Sequence, residues 1–381
     1  MKILCLATNR IYSNDTQQLL PLAIASISDV TFYGPGYVTP EVLNKGVKTF
    51  VEDSGVTYDF IYTDGMILFW NDKRGTTPFS ISYNYFTFNG IRDYIIDMKD
   101  FYINYLGKKI LYPNIDFYNV SELEIDVLSI SSPYLISWGM ELLEYKKNLS
   151  DLKFEAFSEN VNDNWVNYIT KNREKIISIP HIIGESEFSF HPLDERKYDM
   201  TVPGVNYHSR KVVNKIINNT KRLYINNRNT SYLQKINIAI LKIFTTRSVM
   251  KVFKQIFNNT IEDSKMAYTC GSGLNYIIRK YLEIPAKGAL LVCKPCKGFE
   301  ALGFEHNKNC IVVNPKTIGE ELKFYFEDSD KCQKLASLGQ KLVWRKHSFT
   351  ARSKQIENSL IKIMDGSFKG SYWEGGEFIL R

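Results

Sequence analysis

Thr269-Cys270-Gly271-Ser272-Gly273-Leu274-Asn275-Tyr276-Ile277-Ile278-Arg279-Lys280-Tyr281-Leu282-Glu283-Ile284-Pro285-Ala286-Lys287-Gly288-Ala289-Leu290-Leu291-Val292 reads as a turn, a helix and a buried strand in succession. The Gly-Ser-Gly turn opens a helix that Pro285 and Gly288 close. Ala289 to Val292 is short, continuous and apolar, as a strand covered on both faces must be. Small residues at such a turn let a ligand approach the backbone, and the free N–H groups of a first helical turn favour an anion. Asn275, Arg279 and Glu283 recur at every fourth position and so share one helical face. A cation one turn into such a helix meets a diphosphate, and a carboxylate near its end accepts both hydroxyls of a ribose. Spacing alone leaves this reading level with a plainer one, a surface helix carrying an Arg–Glu pair.

Outward from this stretch the chain alternates. Short apolar runs at 3–8, 30–34, 60–64, 79–83, 110–112 and 127–131, bounded by Gly, Pro, Asp or Asn, predict parallel strands. Helices are predicted between them, among others at 16–26 and 135–147. This alternation predicts a doubly wound α/β domain. Ile177-Ser178-Ile179-Pro180-His181 closes the series and leads into a polar connection at 185–197. Tyr198-Asp199-Met200-Thr201-Val202-Pro203-Gly204 opens a second series, continued by strands at 289–293 and 310–313. Two α/β domains joined near residue 195 follow, then a helix at 348–364 and a tail rich in Gly and aromatic residues.

At 381 residues the chain accommodates two ordinary domains, and 44% hydrophobic with 23% charged residues excludes wholesale disorder. A net charge of +7 suits phosphate-bearing substrates or an anionic membrane face. It falls short of the dense basic patch of a nucleic-acid binder, so no nucleic-acid partner is expected. The opening Met1-Lys2-Ile3-Leu4-Cys5-Leu6-Ala7-Thr8 reads as a strand, too short an apolar run for a signal peptide. No stretch approaches the roughly 20 apolar residues of a membrane span. Six cysteines without a secretory signal read as reduced thiols. The expected location is cytoplasmic, with peripheral contact at the inner face of the cytoplasmic membrane as an option. The basic amphipathic stretch 241–257 offers such a contact, although packing on its own domain is the favoured reading.

Three other patterns are weighed and set aside. Cys293, Cys296, His306 and Cys310 have zinc-like spacing, but Cys293 ends the strand that follows the helix. Asp328-Ser329-Asp330 has the Asp-x-Asp form of metal-dependent transferases, but reads as a helix end. No Gly-x-Gly-x-x-Gly follows the first strand, which disfavours a dinucleotide-dependent enzyme.

The motifs of the second half follow a recognisable order. The Arg279–Glu283 helix precedes the small-residue turn and strand Ala286-Lys287-Gly288-Ala289-Leu290-Leu291-Val292. A loop with Gly298-Phe299-Glu300 comes next, then His306-Asn307-Lys308-Asn309-Cys310-Ile311-Val312-Val313-Asn314-Pro315, a helix at 318–328, and His347-Ser348-Phe349-Thr350-Ala351-Arg352. From Tyr198 to Ser359 this order resembles the C-terminal domain of the group-1 retaining glycosyltransferases. Within them it looks most like the divergent branch that includes the spore-maturation-protein-like glycosyltransferases.

The resemblance implies a GT-B fold, two Rossmann-like doubly wound domains facing across a cleft. Residues 1–195 would form the acceptor domain and 196–347 the nucleotide-sugar donor domain. Residues 348–381 would pack back toward the first. It implies that Arg210 and Arg279 are the two cations facing the diphosphate and that Glu283 holds the ribose. Gly204, Gly271, Ser272, Gly273, Asn275, Gly298, Phe299 and Glu300 would line the donor, and His181, in a turn like the family's Pro-His/Asn-Gly turn, the cleft. Two departures stand out. Asn275 occupies the place of the first glutamate in the family's pair, and Val205 stands where an arginine usually follows the glycine. The activity implied is hexosyl transfer from a nucleotide diphosphate sugar to a glycan or lipid-linked glycan, with retention and without metal or cofactor. The setting implied is bacterial surface polysaccharide synthesis, O-antigen of lipopolysaccharide or capsule. The alternative, prompted by Asn275, is a non-catalytic nucleotide-sugar-binding or scaffold protein of the same fold.

Overall fold

The computed structural model describes residues 1–9, 15–69, 88–113, 122–137, 163–204, 209–219, 247–271 and 277–381. Six strands form the first sheet: β1 (Lys2–Leu6), β2 (Asp29–Tyr33), β3 (Phe60–Asp64), β4 (Lys108–Tyr112), β5 (Tyr134–Ser137) and β6 (Ile176–Ser178). They lie in the order β2-β1-β3-β4-β5-β6, and every pair is parallel. The continuous apolar run of β1 reflects burial on both faces. Ile3 and Cys5 pack against Leu20 and Ile24 of the helix Asp15–Ala25. Leu4 and Leu6 pack on the other face against Val47, Ile95 and Met98. Each such side chain contributes about 1.5–3 kcal/mol by leaving water.

The second sheet holds β7 (Tyr198–Thr201), β8 (Ser264–Thr269), β9 (Leu290–Cys293) and β10 (Ile311–Val312), in the order β10-β9-β8-β7 and again parallel. Its two faces bury different sets. Ala267, Leu291 and Cys293 face Tyr281, Leu282 and Val343, whereas Met266, Tyr268, Leu290 and Val292 face Val213, Ile217 and Leu335.

After the long helix Ser329–His347 the chain returns to the first sheet. Ser348 caps the helix Phe349–Met364, whose Ile356, Leu360 and Ile363 join Ile3 and Cys5. The tail 365–381 carries an antiparallel hairpin, β11 (Ser371–Glu374) with β12 (Glu377–Leu380). Ser371 Oγ accepts from Ser178 N at 2.8 Å, and Trp373 Nε1 donates to Ser178 O at 2.8 Å. The final segment is thereby fastened to β6.

Two elements of the first half exchange identity. The strand expected at 127–131 is the end of the helix Glu122–Ser131, and the helix expected from 135 begins as strand β5. Glu122, Glu124 and Asp126 place acid at the start of that helix, where its dipole favours it, and Leu128 and Ser131 turn inward. Pro133 separates it from Tyr134-Leu135-Ile136-Ser137, short enough to lie between β4 and β6. The strand expected at 79–83 and residues 138–147 lie outside the described residues. Strand β8 was not anticipated. The basic stretch 241–257 becomes, from residue 247, the helix Arg247–Glu262. Its Phe257 and Ile261 pack into the core with Tyr281 and Ile284, and 241–246 lie outside the described residues. Among the described residues no helix is long and apolar enough to cross a membrane.

Candidate donor site

Strand β7 runs out through Pro203 into Gly204, whose φ of 91° is left-handed. A Cβ there would stand 2.6 Å from Lys280 Cε, 3.1 Å from Lys280 Nζ and 3.6 Å from Arg210 Nη1. Glycine is needed for the backbone to come this close to two cationic side chains. Arg210 is fully buried near the start of the helix Ser209–Asn218. Its neighbour Ser209 shares a 2.8 Å hydrogen bond with Tyr268 OH on β8. Arg210 and Lys280 thus converge at the carboxyl edge of the second sheet, where ligands of doubly wound folds bind. Burial first, then the charge of Arg210, pushes the Lys280 ammonium down to about 8, with Glu283 and Cys270 acting in the opposite sense.

The helix expected to open at Gly-Ser-Gly begins later, at Lys280, and ends at Ala286. Arg279 is its N-cap residue, and Ile277 is buried in the core just before it. Arg279 O accepts from Leu282 N and Glu283 N at 2.9 Å, which sets the helix start. Gly271 is buried at the end of β8, whereas Ser272, Gly273 and Asn275 lie outside the described residues.

Arg279 is held between two carboxylates. Its Nη1 donates to Glu283 Oε1, and its Nη2 donates to Glu187 Oε1 at 2.6 Å and to Ile182 O at 3.2 Å. Burial opposes the charge, but Glu283 and Glu187 outweigh it and hold the guanidinium above its ordinary range. Glu187 also accepts from Gly184 N at 2.9 Å, fixing the turn where the chain passes from the first sheet toward the second. Burial raises its carboxyl, but Arg279, the Gly184 N–H and Lys254 together outweigh it, and the net shift is downward. The spacing of Arg279 and Glu283 was legible in the sequence. Glu187 was missed, and its one local signal is the three-residue capping spacing from Gly184. Lys280 was missed as well; between Arg279 and Glu283 it carries no separate signal in the sequence.

His181 sits near these cations. Burial, then Arg279, Arg352 and Lys280, push it down to about 3. His347 is fully buried, with Nε2 at 3.1 Å from Leu302 O and Nδ1 at 2.5 Å from Arg352 Nη2. Burial and Arg352 push it well below the usual histidine range. Both histidines are neutral when folded and take a proton near 6.5 when unfolded. Their contribution to stability is therefore complete above about 6.5 and is lost as pH falls toward 3. The thermal midpoint should drop steadily between pH 7 and 5, and less steeply in a His181→Gln, His347→Gln double variant. Equal pH slopes in the two proteins would contradict this.

The loop residues divide. Phe299 is core, stacked on Phe304 at 5.3 Å and edge-on to Tyr281 at 5.9 Å. Gly298 has φ 83° and starts the turn that Leu302 N closes on Gly298 O at 3.1 Å. Glu300 is exposed. His306 Nδ1 accepts from Val312 N at 2.9 Å, and Cys310 Sγ faces Glu305 O at 3.4 Å. Among the described residues no group of three His, Cys, Asp or Glu is placed to hold a metal ion. Asp328 caps the long helix by accepting from Lys331 N at 2.9 Å.

Residues 187–358 match the family model described as glycosyl transferase-like, which bears out the glycosyltransferase resemblance over the half that carries it. Among solved structures, HepE of Anabaena in complex with UDP is 11% identical, covering 95% of this chain and 100% of that one with a TM-score of 0.51. A glycosyltransferase of Rickettsia africae is 11% identical, with 95% and 98% coverage and a TM-score of 0.50. The chain has the GT-B fold. Sucrose-phosphate synthase of Thermosynechococcus elongatus shares it at 8% identity, 96% and 100% coverage and a TM-score of 0.50. No curated protein matches by sequence. In this GT-B chain, Gly204, Arg210, Lys280 and Glu283 belong to the glycosyl transferase-like half.

Proposed function

We propose that the chain is a glycosyltransferase that moves a sugar from a nucleotide diphosphate sugar to a hydroxyl of a glycan or lipid-linked glycan. The observation that carries this reading is Arg210, a fully buried cation beside Gly204 at the carboxyl edge of the second sheet. Ligands of doubly wound folds bind at that edge, and a fixed cation placed there suits an anion. The leaving group of an activated sugar is such an anion. HepE, of the same fold, binds UDP.

In the reaction the bond from the anomeric carbon to the β-phosphate oxygen breaks, and the electron pair leaves with the diphosphate. The acceptor oxygen bonds to the anomeric carbon on the face the diphosphate vacates, which retains configuration. Its proton passes to the departing phosphate oxygen, so no protein nucleophile is required. Arg210 stabilises the charge that grows on the leaving oxygen. Glu283 accepts from the ribose hydroxyls through the oxygen that Arg279 leaves available. The hexosyl, metal-independent reading and a place in surface polysaccharide synthesis at the cytoplasmic membrane face rest on the resemblance to the family.

Incubation with a panel of nucleotide sugars, with and without glycan acceptors, tests this. Release of free nucleoside diphosphate from one donor, rising with acceptor, is the expected result. Saturable binding without turnover for any donor would instead favour the non-catalytic scaffold that Asn275 prompts.

A further inference from the structure

We propose that Lys280 is the second cation of the donor site, supplying beside Arg210 the positive charge that Val205 does not. The proposal rests on the glycosyltransferase reading and deepens it, since it names a diphosphate-contacting residue and makes donor binding depend on a proton.

The two basic residues at the head of the helix Lys280–Ala286 differ in what surrounds them. Arg279 is neutralised by Glu283 and Glu187 and tied to Ile182 O, so its donors are already committed. Lys280 makes no ion pair and no hydrogen bond among the described residues. Its Nζ lies 5.6 Å from the centre of the Phe257 ring, a weak cation–π contact for a partly buried ammonium. It points at Gly204, at the same spot as Arg210 Nη1. Two like charges directed at one backbone position repel each other, and an anion placed there relieves both. A diphosphate has two phosphate groups, so each of the two cations can meet one of them.

The groups facing Lys280 are few. Arg210 comes from the helix Ser209–Asn218 and Cys270 from the end of β8. Glu283 and Arg279 belong to its own helix and cap, and His181 to the segment after β6. Of the cations, Arg210 and Arg279 stay charged at any working pH. Lys280, pushed down to about 8, loses its proton within the working range. A bound diphosphate favours the charged form, so affinity falls as pH rises through about 8.

The test is calorimetric titration of the full chain with UDP, GDP, ADP and dTDP, each at pH 7, 8 and 9. The wild type should lose affinity for its preferred diphosphate about tenfold from pH 7 to 9, in proportion to the protonated fraction. Lys280→Arg should bind with little change across that range. Lys280→Met should bind at least tenfold more weakly at pH 7, again without pH dependence. Cys270→Ala should keep the wild-type profile, which separates the thiol from the ammonium. Wild-type affinity and pH dependence in both Lys280 variants would overturn the role of Lys280 while leaving the donor site in place. If Lys280→Met does not fold, Lys280→Arg decides alone, and a retained pH dependence there overturns the proposal. If none of the four diphosphates binds the wild type, the glycosyltransferase reading itself fails.

Discussion

Arg210→Met is expected to lower kcat about 100- to 1,000-fold, with donor KM changed far less. A preorganised donor aimed at developing charge typically contributes that much, about 2.7–4 kcal/mol in the transition state. The charge on the leaving diphosphate is greatest as the glycosidic bond breaks, so the loss falls mainly on kcat. Arg210 is fully buried, and Met keeps much of the length and apolar volume of its side chain. The folded fraction should therefore remain near that of the wild type, which circular dichroism and thermal unfolding would check. Glu283→Ala should behave differently. In the proposed reading its carboxylate would contact the ribose equally in ground and transition states, so donor KM should rise more than kcat falls. Steady-state kinetics on the donor identified by the panel separates the two patterns, and unchanged kcat in Arg210→Met would remove that residue from the site.

The second large effect is on stability. Arg279→Leu leaves Glu187 and Glu283 facing each other in a largely buried pocket without the cation that holds both. Breaking a buried pair by removing one partner costs about 3–5 kcal/mol, because the remaining charge is left uncompensated. Here two carboxylates remain, so a cost at the upper end is expected in urea unfolding. Neutralising them as well, in Arg279→Leu with Glu187→Gln and Glu283→Gln, should recover a large part of the loss. A single variant as stable as the wild type would contradict the buried network. Failure of the triple variant to recover would mean that Arg279 stabilises through Ile182 O instead.

Much of the fold was legible because parallel strands buried on both faces are continuous apolar runs. Strands β1, β3, β4 and β6 carry that mark, whereas the edge strand β2 is only partly buried. The exchange at 122–137 shows where it fails. Val127-Leu128-Ser129-Ile130-Ser131 and Tyr134-Leu135-Ile136-Ser137 are both short apolar runs, and periodicity does not distinguish a strand from one buried helical turn at that length. Strand β8, Ser264-Lys265-Met266-Ala267-Tyr268-Thr269, lacks branched aliphatic residues and carries a lysine. That lysine pairs with Asp199 on β7 at 2.9 Å, a cross-strand contact that local sequence does not display. The same limit applies to the site. Arg279 and Glu283 meet through a four-residue spacing and were readable as a pair. Glu187 stands 92 positions away and enters only through tertiary packing. The spacing showed one carboxylate beside Arg279, and the second, which with Glu283 commits its donors, is not visible nearby in sequence. Lys280 adjoins Arg279 in sequence, and the ion pairs of the one and the approach of the other to Gly204 set the two apart.

The most direct measurement is a crystal structure of the full chain soaked with the nucleotide sugar that the panel selects. The diphosphate should lie against Gly204, within hydrogen-bond distance of Arg210 and Lys280, with the ribose hydroxyls on Glu283. A nucleotide sugar bound away from these four residues would contradict the account.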